Sequence, residues 1–260
     1  MLAAFDWHVL WQRIFHPDHT FALALVRTLS MAVIAQVVGV LLGLLAALMR
    51  MSRIWVLRAL SNLYTLVFRG TPVIVQIFFV YLGVNLLFGV TLIPNTLHLG
   101  AFDVSGGIVA GIAALGINEG AYMREIIRAG IDAIDRGQME AAKSLGMTYR
   151  LAMRRIVLPQ AARVIVPPLG NEFNNMLKTT SLVAFIGVTE LFQNAEIHYS
   201  NDFQPVEEFT AVAFWYLVLT SAWSIVQAWI ERRLGVSDRA DDDGVGPWGR
   251  LRLLTTARVR

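Results

Sequence analysis

The chain has 260 residues, 56% of them hydrophobic and 16% charged, with a formal net charge of +3 and a mean hydropathy of +0.55. Soluble domains run at roughly 45–50% apolar, and the excess here lies in long runs without the repeating polar face of a water-soluble helix, which excludes an ordinary aqueous core and points to a membrane. Cysteine is absent, so disulfide and thiolate chemistry are excluded and the redox compartment stays open.

Residues 1–20 carry Asp6, Arg13 and Asp18 among aromatics. They lack the basic start and small-residue cleavage site of a signal peptide, and they read as an external segment ahead of a retained first span. A helix needs about 20 mostly apolar residues to cross a bilayer. Five stretches qualify in chain order: Phe21–Met49, Ser61–Phe88, Ser105–Ile127 interrupted by Glu119, Ala161–Val188, and the uncharged Phe209–Ile230. The fourth holds Pro167-Pro168, Glu172 and Lys178, and the prolines predict a broken helix beside which a pathway would run, because irregular backbone at membrane depth must line a cavity or pack in protein. Gly39 and Gly43 in the first span have the spacing of close helix contact. Trp215, Tyr216, Trp223 and Trp229 stand at or near the ends of the fifth, where interface anchoring is expected. Residues 235–260 mix an Asp run, Gly and Arg and read as a disordered cytoplasmic tail.

The basic residues set the orientation. Arg50, Arg53 and Arg58 fill the first link, the second holds only Asp103, Arg124–Arg163 holds eight Lys/Arg, and Thr189–Glu208 holds five acids and no base. Seven arginines lie in Glu231–Arg260. Basic loops face the cytoplasm, so the amino terminus reads as outside and the carboxyl terminus as inside, which an odd number of spans requires. The expected fold class is therefore an all-α integral membrane protein with five transmembrane helices, its membrane domain covering 21–234. No duplicated half is visible, which disfavours an internally repeated transporter and suggests that the chain pairs with a second copy or a paralogue.

Residues 138–159 form the most informative segment. It reads Glu140, Ala141, Ala142, three residues, Gly146, nine residues, then Ile156, Leu158 and Pro159. Gln138–Leu145 has good helix formers with two alanines small enough for close approach. Gly146 can take the left-handed conformation that ends a helix, Thr148 can cap a second helix over Tyr149–Val157, and Pro159 suits the first turn of the next membrane segment. From physics alone, this compact knob serves either to transmit motion to a partner or simply to cover helix ends.

The spacing resembles the EAA signature of ATP-binding-cassette importer membrane subunits. Tyr64, Arg69-Gly-Thr-Pro72 and Gln76, then Gly120-Ala-Tyr122, Glu125 and Arg128-Ala-Gly130, then Gly137-Gln138, and finally Lys178-Thr-Thr-Ser181-Leu182 resemble further motifs of the polar amino-acid permeases in that family. The similarity covers Phe21 to Leu234. It implies the five-helix core of type I importers and a polar or charged L-amino acid as cargo. In that family the EAA segment is the coupling helix seated in a separate ATPase subunit. The resemblance also implies a dimer of ATPase subunits holding ATP and Mg, an extracytoplasmic amino-acid-binding protein, a bacterial cytoplasmic (inner) membrane location, and no cofactor on this chain or contact with nucleic acid.

Ionisable groups at membrane depth are functional candidates by default. Glu119 suits the ammonium of an amino acid or the head of a basic one, with a buried pair to a neighbouring arginine as the plain alternative. Glu172 and Lys178 lie six apart and off a common helix face. Lys178 suits either an α-carboxylate or a helix-end role. Asn171, Asn174 and Asn175 add neutral hydrogen-bonding groups, and Thr179 and Ser181 complete the candidate pathway set. Arg69–Pro72 reads as a turn or kink rather than as substrate chemistry. The sequence holds no G-x-x-x-x-G-K-[ST] loop, no H-E-x-x-H and no G-x-S-x-G, and its histidines, at 8, 16, 19, 98 and 198, lie outside the five stretches. An intramembrane enzyme is thus poorly supported. The competing reading is an ion-coupled secondary amino-acid carrier with Glu119 as its coupling site, which leaves the EAA segment unexplained.

Overall fold

A computed structural model of the chain describes residues 5–89, 91–99 and 102–235, so the expected disordered tail beyond 235 lies outside the described residues. The structure is mostly helical. In chain order it runs α1 Trp7–Phe15, α2 His19–Met51, α3 Trp55–Gly70, α4 Val73–Phe78, α5 Val84–Phe88, a β1 Thr96–Leu99 and β2 Phe102–Ser105 hairpin, α6 Gly106–Asp132, α7 Arg136–Ser144, α8 Tyr149–Ala152, α9 Leu158–Thr179, α10 Leu191–Asp202 and α11 Pro205–Arg233. The strands pair antiparallel, with Thr96 opposite Ser105. Among the described residues, α2 and α11 are long and apolar enough to cross a membrane, and α3 with the helical run Val73–Phe88 makes a third if the bent pair counts as one span. At about 1.5 Å per residue, α6 with 27 residues and α9 with 22 also have the length, but their buried or cavity-lining polar groups dilute their apolarity.

The described chain forms two compact units. One comprises the residues up to Arg128 together with Asn171–Ser221, and the other comprises Ala129–Gly170 and the chain from Ala222 on.

In the first unit, α2 packs on α6 with almost no side chain between them. A Cβ added at Gly39 would come within 2.5 Å of Glu119 Cγ, and one at Gly43 within 2.3 Å of Met123 Cβ. A Cβ on Gly116 or Gly120 of α6 would likewise strike Val38 or Tyr64. The spacing of small residues therefore places two backbones in contact and brings Glu119 against α2. The span expected over Ser61–Phe88, with its turn or kink at Arg69–Pro72, folds as two arms bent by 107° between Gly70 and Val73. The cause is local: the residue before Pro72 is driven to extended backbone, and Thr71 sits at φ −120°, ψ 147°. A π-turn at Phe79–Gly83 follows in the second arm.

The expected break at Pro167-Pro168 is also corrected. α9 continues through both prolines, and the irregularity comes later, where Thr180–Ile186 tightens into a 3₁₀ segment that ends at Gly187 in the left-handed region. In the second unit, Gln227 Nε2 donates to Pro167 O at 3.2 Å and Trp223 Nε1 donates to Gly170 O at 2.8 Å, so α11 packs its polar groups along this stretch of α9. A side chain at Gly130 would collide with Ile165. Trp223 and Tyr216 act as internal tethers rather than interface anchors, with Tyr216 Oη donating to Glu190 at 2.8 Å, whereas Trp229 is exposed.

Candidate functional site

The Arg69–Gln76 motif builds the wall of a cavity in the first unit. Gln76 is buried at the bend, and its amide nitrogen donates to Phe68 O at 2.9 Å, Thr71 O at 3.1 Å and Thr71 Oγ1 at 2.8 Å. Its carbonyl oxygen accepts from Asn118 Nδ2 at 3.0 Å, and the same nitrogen of Asn118 reaches Phe68 O at 2.8 Å. Tyr64 Oη donates to Ile117 O, and the Arg69 guanidinium lies 4.9 Å above the Tyr122 ring. The carbonyls of Phe68 and Thr71, where the helix bends, are thus bonded by side chains, which satisfies them without water and fixes α6 against the bend.

Beside this bend is a cavity of about 370 Å³ lined by Thr71, Asn118, Glu119, Tyr122, Glu172, Asn175, Met176 and Thr179 among others. Its size lies in the range of small-ligand sites. Glu119 is 5% exposed, and its Oε1 accepts from Gln36 Nε2 at 3.1 Å; its partner is this neutral amide rather than the arginine of the plain alternative. Among the described residues, Glu172 has neither a hydrogen bond nor an ion pair, and the cavity lining includes no lysine, arginine or histidine. Two carboxylates therefore converge on one small space without a basic lining residue. A cation entering it would be met by both.

The other expected pathway residues divide. Asn175 and Thr179 line this cavity, with Thr179 Oγ1 donating to Asn175 O at 2.9 Å. Lys178 and Ser181 instead line a separate cavity with Phe192, Phe209, Val212 and Tyr216. Asn174 Oδ1 is buried without a partner, and Asn171 is exposed on α9. Thr71, Asn118 and Tyr122 contribute to the lining although the sequence reading gave them no site role. Thr71 and Tyr122 stand in the motifs quoted above and Asn118 stands just before Glu119, but sequence spacing did not reveal that the bend folds Thr71 back toward α6.

The second unit carries the 138–159 segment. α7 begins two residues before the expected start, capped by Asp135 accepting from Gly137 N. It ends with Gly146 at φ +79°, Gly146 N donating to Lys143 O at 2.9 Å and Met147 N to Ala142 O at 3.1 Å. This pair of bonds satisfies the last carbonyls of the helix. Thr148 caps α8 by accepting from Leu151 N. Here the expected second helix differs: Tyr149–Ala152 gives way to a π-turn over Met153–Val157 that runs unbroken into α9. The wider turn accommodates Pro159, which has no N–H and would otherwise crowd the carbonyl one turn back. Ala142 is buried, while Glu140, Ala141, Gly146, Leu158 and Pro159 are exposed and Ile156 is half-buried. Leu145 is 83% exposed, and Tyr149, Leu151 and Leu158 add further uncovered apolar surface.

Residues 39–236 match the model of the family described as binding-protein-dependent transport system inner membrane component. The chain belongs to this family. It is 40% identical over 237 residues to an arginine transport system permease protein of Corynebacterium glutamicum, covering 88% of this chain and 72% of that one. An L-cystine transport system permease protein of Bacillus subtilis is 38% identical over 208 residues, covering 80% and 83%. A solved amino acid ABC transporter crystallised with histidines matches with a TM-score of 0.75 at 38% identity, over 89% of this chain and 100% of that one. A methionine ABC transporter in an inward-facing conformation matches at 0.63 and 17% identity and supports the fold. As a member, the chain is the membrane-embedded permease component of an ABC transport system and a transport subunit rather than the ATPase.

Proposed function

We propose that this chain is the permease subunit of an importer that moves a polar L-amino acid carrying a positive group across the bacterial cytoplasmic membrane, with Glu119 and Glu172 receiving that group. The observation that carries the reading is the pair of carboxylates facing one cavity that lacks a basic lining residue. A buried carboxylate at membrane depth is costly unless paired or hydrated, so a cationic ligand would be stabilised by both groups and an anionic one repelled. Thr71, Asn118 and Asn175 supply neutral groups for the rest of the ligand, and Thr179 completes the wall. Asn171, Asn174, Lys178 and Ser181, which lie outside this cavity, are given no ligand contact. The names of the similar permeases, which include arginine and cystine systems, agree with an amino-acid cargo.

In this reading five spans cross the membrane, with α3 to α5 counted as one bent span and α6 and α9 as two more, the amino terminus outside and the carboxyl terminus inside. The alternation of basic and acidic links supports that orientation. Two permease copies, or this chain and a paralogue, enclose the pathway. An extracytoplasmic binding protein delivers the amino acid, and two ATPase subunits seat the α7 surface, with Glu140 paired to a basic residue of the ATPase and Ala141 and Ala142 allowing close approach. ATP binding moves the segment from Glu140 through Gly146 to Ile156, Leu158 and Pro159, and its continuity with α9 carries that motion toward the cavity wall. The test is uptake by the reconstituted transporter of labelled amino acids of each charge class. Uptake of cationic ones that falls in Glu119→Gln supports the reading; uptake confined to acidic ones contradicts it.

A further inference from the structure

The amino-terminal helix α1 takes part in neither the cavity nor the coupling surface, yet it is held firmly. Its inner side is formed by Leu10, which is buried, with Val9, Arg13 and Ile14 half-buried. The Asp6 backbone N–H donates to Glu207 Oε1 at 2.7 Å, and Arg13 Nε donates to Glu208 Oε1 at 2.7 Å. Both glutamates are buried in the first turn of α11. Arg13 also reaches Asp202 at 3.3 Å and His198 Nδ1 at 3.1 Å, so the space among these acids already holds a cation.

The outer side of α1 divides into two lines at helical spacing. Trp7, Trp11 and Phe15 recur every four residues and are 66%, 57% and 57% exposed, with Trp11 and Phe15 stacked at 4.9 Å. Beside them His8 and Gln12, also exposed, recur at the same interval, and exposed His16 follows as the residue that caps the end of the helix. One side of the helix thus packs on protein, one offers large rings, and one offers polar rings and an amide. α2, one of the two helices apolar enough to cross a membrane, begins at His19, and Asp18 caps it by accepting from Phe21 N at 2.8 Å. The aromatic line therefore ends four residues before the membrane span starts.

We infer that α1 is an interfacial helix that lies on the outer surface of the bilayer, its Trp7–Trp11–Phe15 line sunk into the boundary between headgroups and acyl chains and its His8–Gln12–His16 line in water. Tryptophan rings favour that boundary because one edge is apolar and the other can hydrogen-bond, and an amphipathic helix lies in the interface plane with its apolar side down. Lipid is the occupant favoured by continuity with α2 and by the polar line running directly alongside, which leaves room for a surface that is apolar on one side and wet on the other. Through Arg13 and Asp6, the helix ties the first turn of α11 to the membrane surface. The choice of leaflet rests on the outside placement of the amino terminus proposed above; the contact with lipid does not.

The absence of cysteine makes the test direct. Single substitutions Trp11→Cys, Phe15→Cys, Gln12→Cys and His16→Cys are made in the full chain, assembled with its ATPase subunits in phospholipid vesicles, and labelled with a nitroxide. Collision with oxygen, which concentrates in lipid, is compared with collision with a water-soluble nickel chelate. Labels at 11 and 15 should favour oxygen and those at 12 and 16 the chelate, a reversal between adjacent positions. Equal access of the chelate to both lines, or protection of 11 and 15 from both agents as under a protein partner, overturns the proposal. Gln12→Cys in intact cells, treated with a membrane-impermeant maleimide, reports the leaflet separately: labelling places α1 outside, and no labelling overturns the outer-surface assignment and the orientation with it.

Discussion

Glu119 illustrates how one carboxylate is placed by its neighbours. Gly39 leaves no side chain between α2 and α6, Gln36 donates to the carboxylate, and Glu119 lines the cavity that Glu172 shares. A charge-assisted hydrogen bond is worth roughly 1.5–3 kcal/mol, so Glu119→Gln should weaken ligand-stimulated transport by about tenfold or more while the protein assembles normally, measured as uptake against ligand concentration. Glu190 makes a different case, outside the spans. Burial pushes its carboxyl above the usual range, opposed by bonds from the backbone N–H groups of Phe192 and Gln193 and from Tyr216 and Thr28. A raised folded pKa means that its contribution to stability is fully present below the unfolded value, near 4.3, and is lost as pH rises through the folded value. Thermal unfolding of the wild type should accordingly lose ground to Glu190→Gln as pH climbs from acid toward neutral; parallel profiles for the two would contradict this. Some residue-scale roles were legible in the sequence and others were not. Glu119 stood out because a charge inside an apolar run has few uses. Arg124, counted among the cytoplasmic basic residues, instead is 4% exposed and bonds Ser61, Asn62 and Glu125, because charge counting along a chain is blind to which arginines fold inward.

At the scale of elements, small residues and one amide set the geometry. Gly43→Leu would drive a side chain into Met123 and the backbone of Arg124, and overpacking of this kind costs typically about 1–3 kcal/mol. Gly70, with nothing within 4 Å of an added Cβ, is the matched control, so Gly70→Ala should leave the unfolding temperature in detergent unchanged while Gly43→Leu lowers it. Gln76→Leu removes the donor that closes the bend and leaves Asn118 short of an acceptor. Unsatisfied buried groups cost about 1–3 kcal/mol each, so this variant should unfold earlier and lose transport together. The coupling segment gives the sharpest separation of fold from function. Glu140 is exposed, so Glu140→Lys should keep the fold and abolish ligand stimulation of the ATPase; normal stimulation would end the role proposed for it. Elements were legible where one residue type forces one conformation. Gly146 and Thr148 ended and began helices as their chemistry requires. Pro167-Pro168 misled, because a proline pair is tolerated inside a helix packed at membrane depth, whereas the turn or kink read at Arg69–Pro72 is there as a bend, with Gln76 bonding the carbonyls of Phe68 and Thr71. α1 and α10 are short and stabilised by distant partners such as Glu207 and Thr28, which the spacing of residues within either helix does not reveal.

For the molecule as a whole, the apolar runs pointed to a membrane and the alternation of charge to an orientation, the permease reading came from the resemblance of residues 138–159 and the accompanying motifs, and the family match over 39–236 shows the membership. The two compact units give the division of labour that the proposed importer needs: one holds the acid-lined cavity and the other presents the uncovered α7 surface. The account therefore turns on coupling between a ligand and a separate ATPase. Its most direct test is the ATPase rate of this chain reconstituted in vesicles with its ATPase subunits and binding protein, in the presence of each of the common amino acids in turn. The account predicts stimulation by amino acids that share a cationic group, and its loss in Glu119→Gln and in Glu140→Lys for different reasons. Failure to assemble with an ATPase, or a rate indifferent to every amino acid, would contradict it.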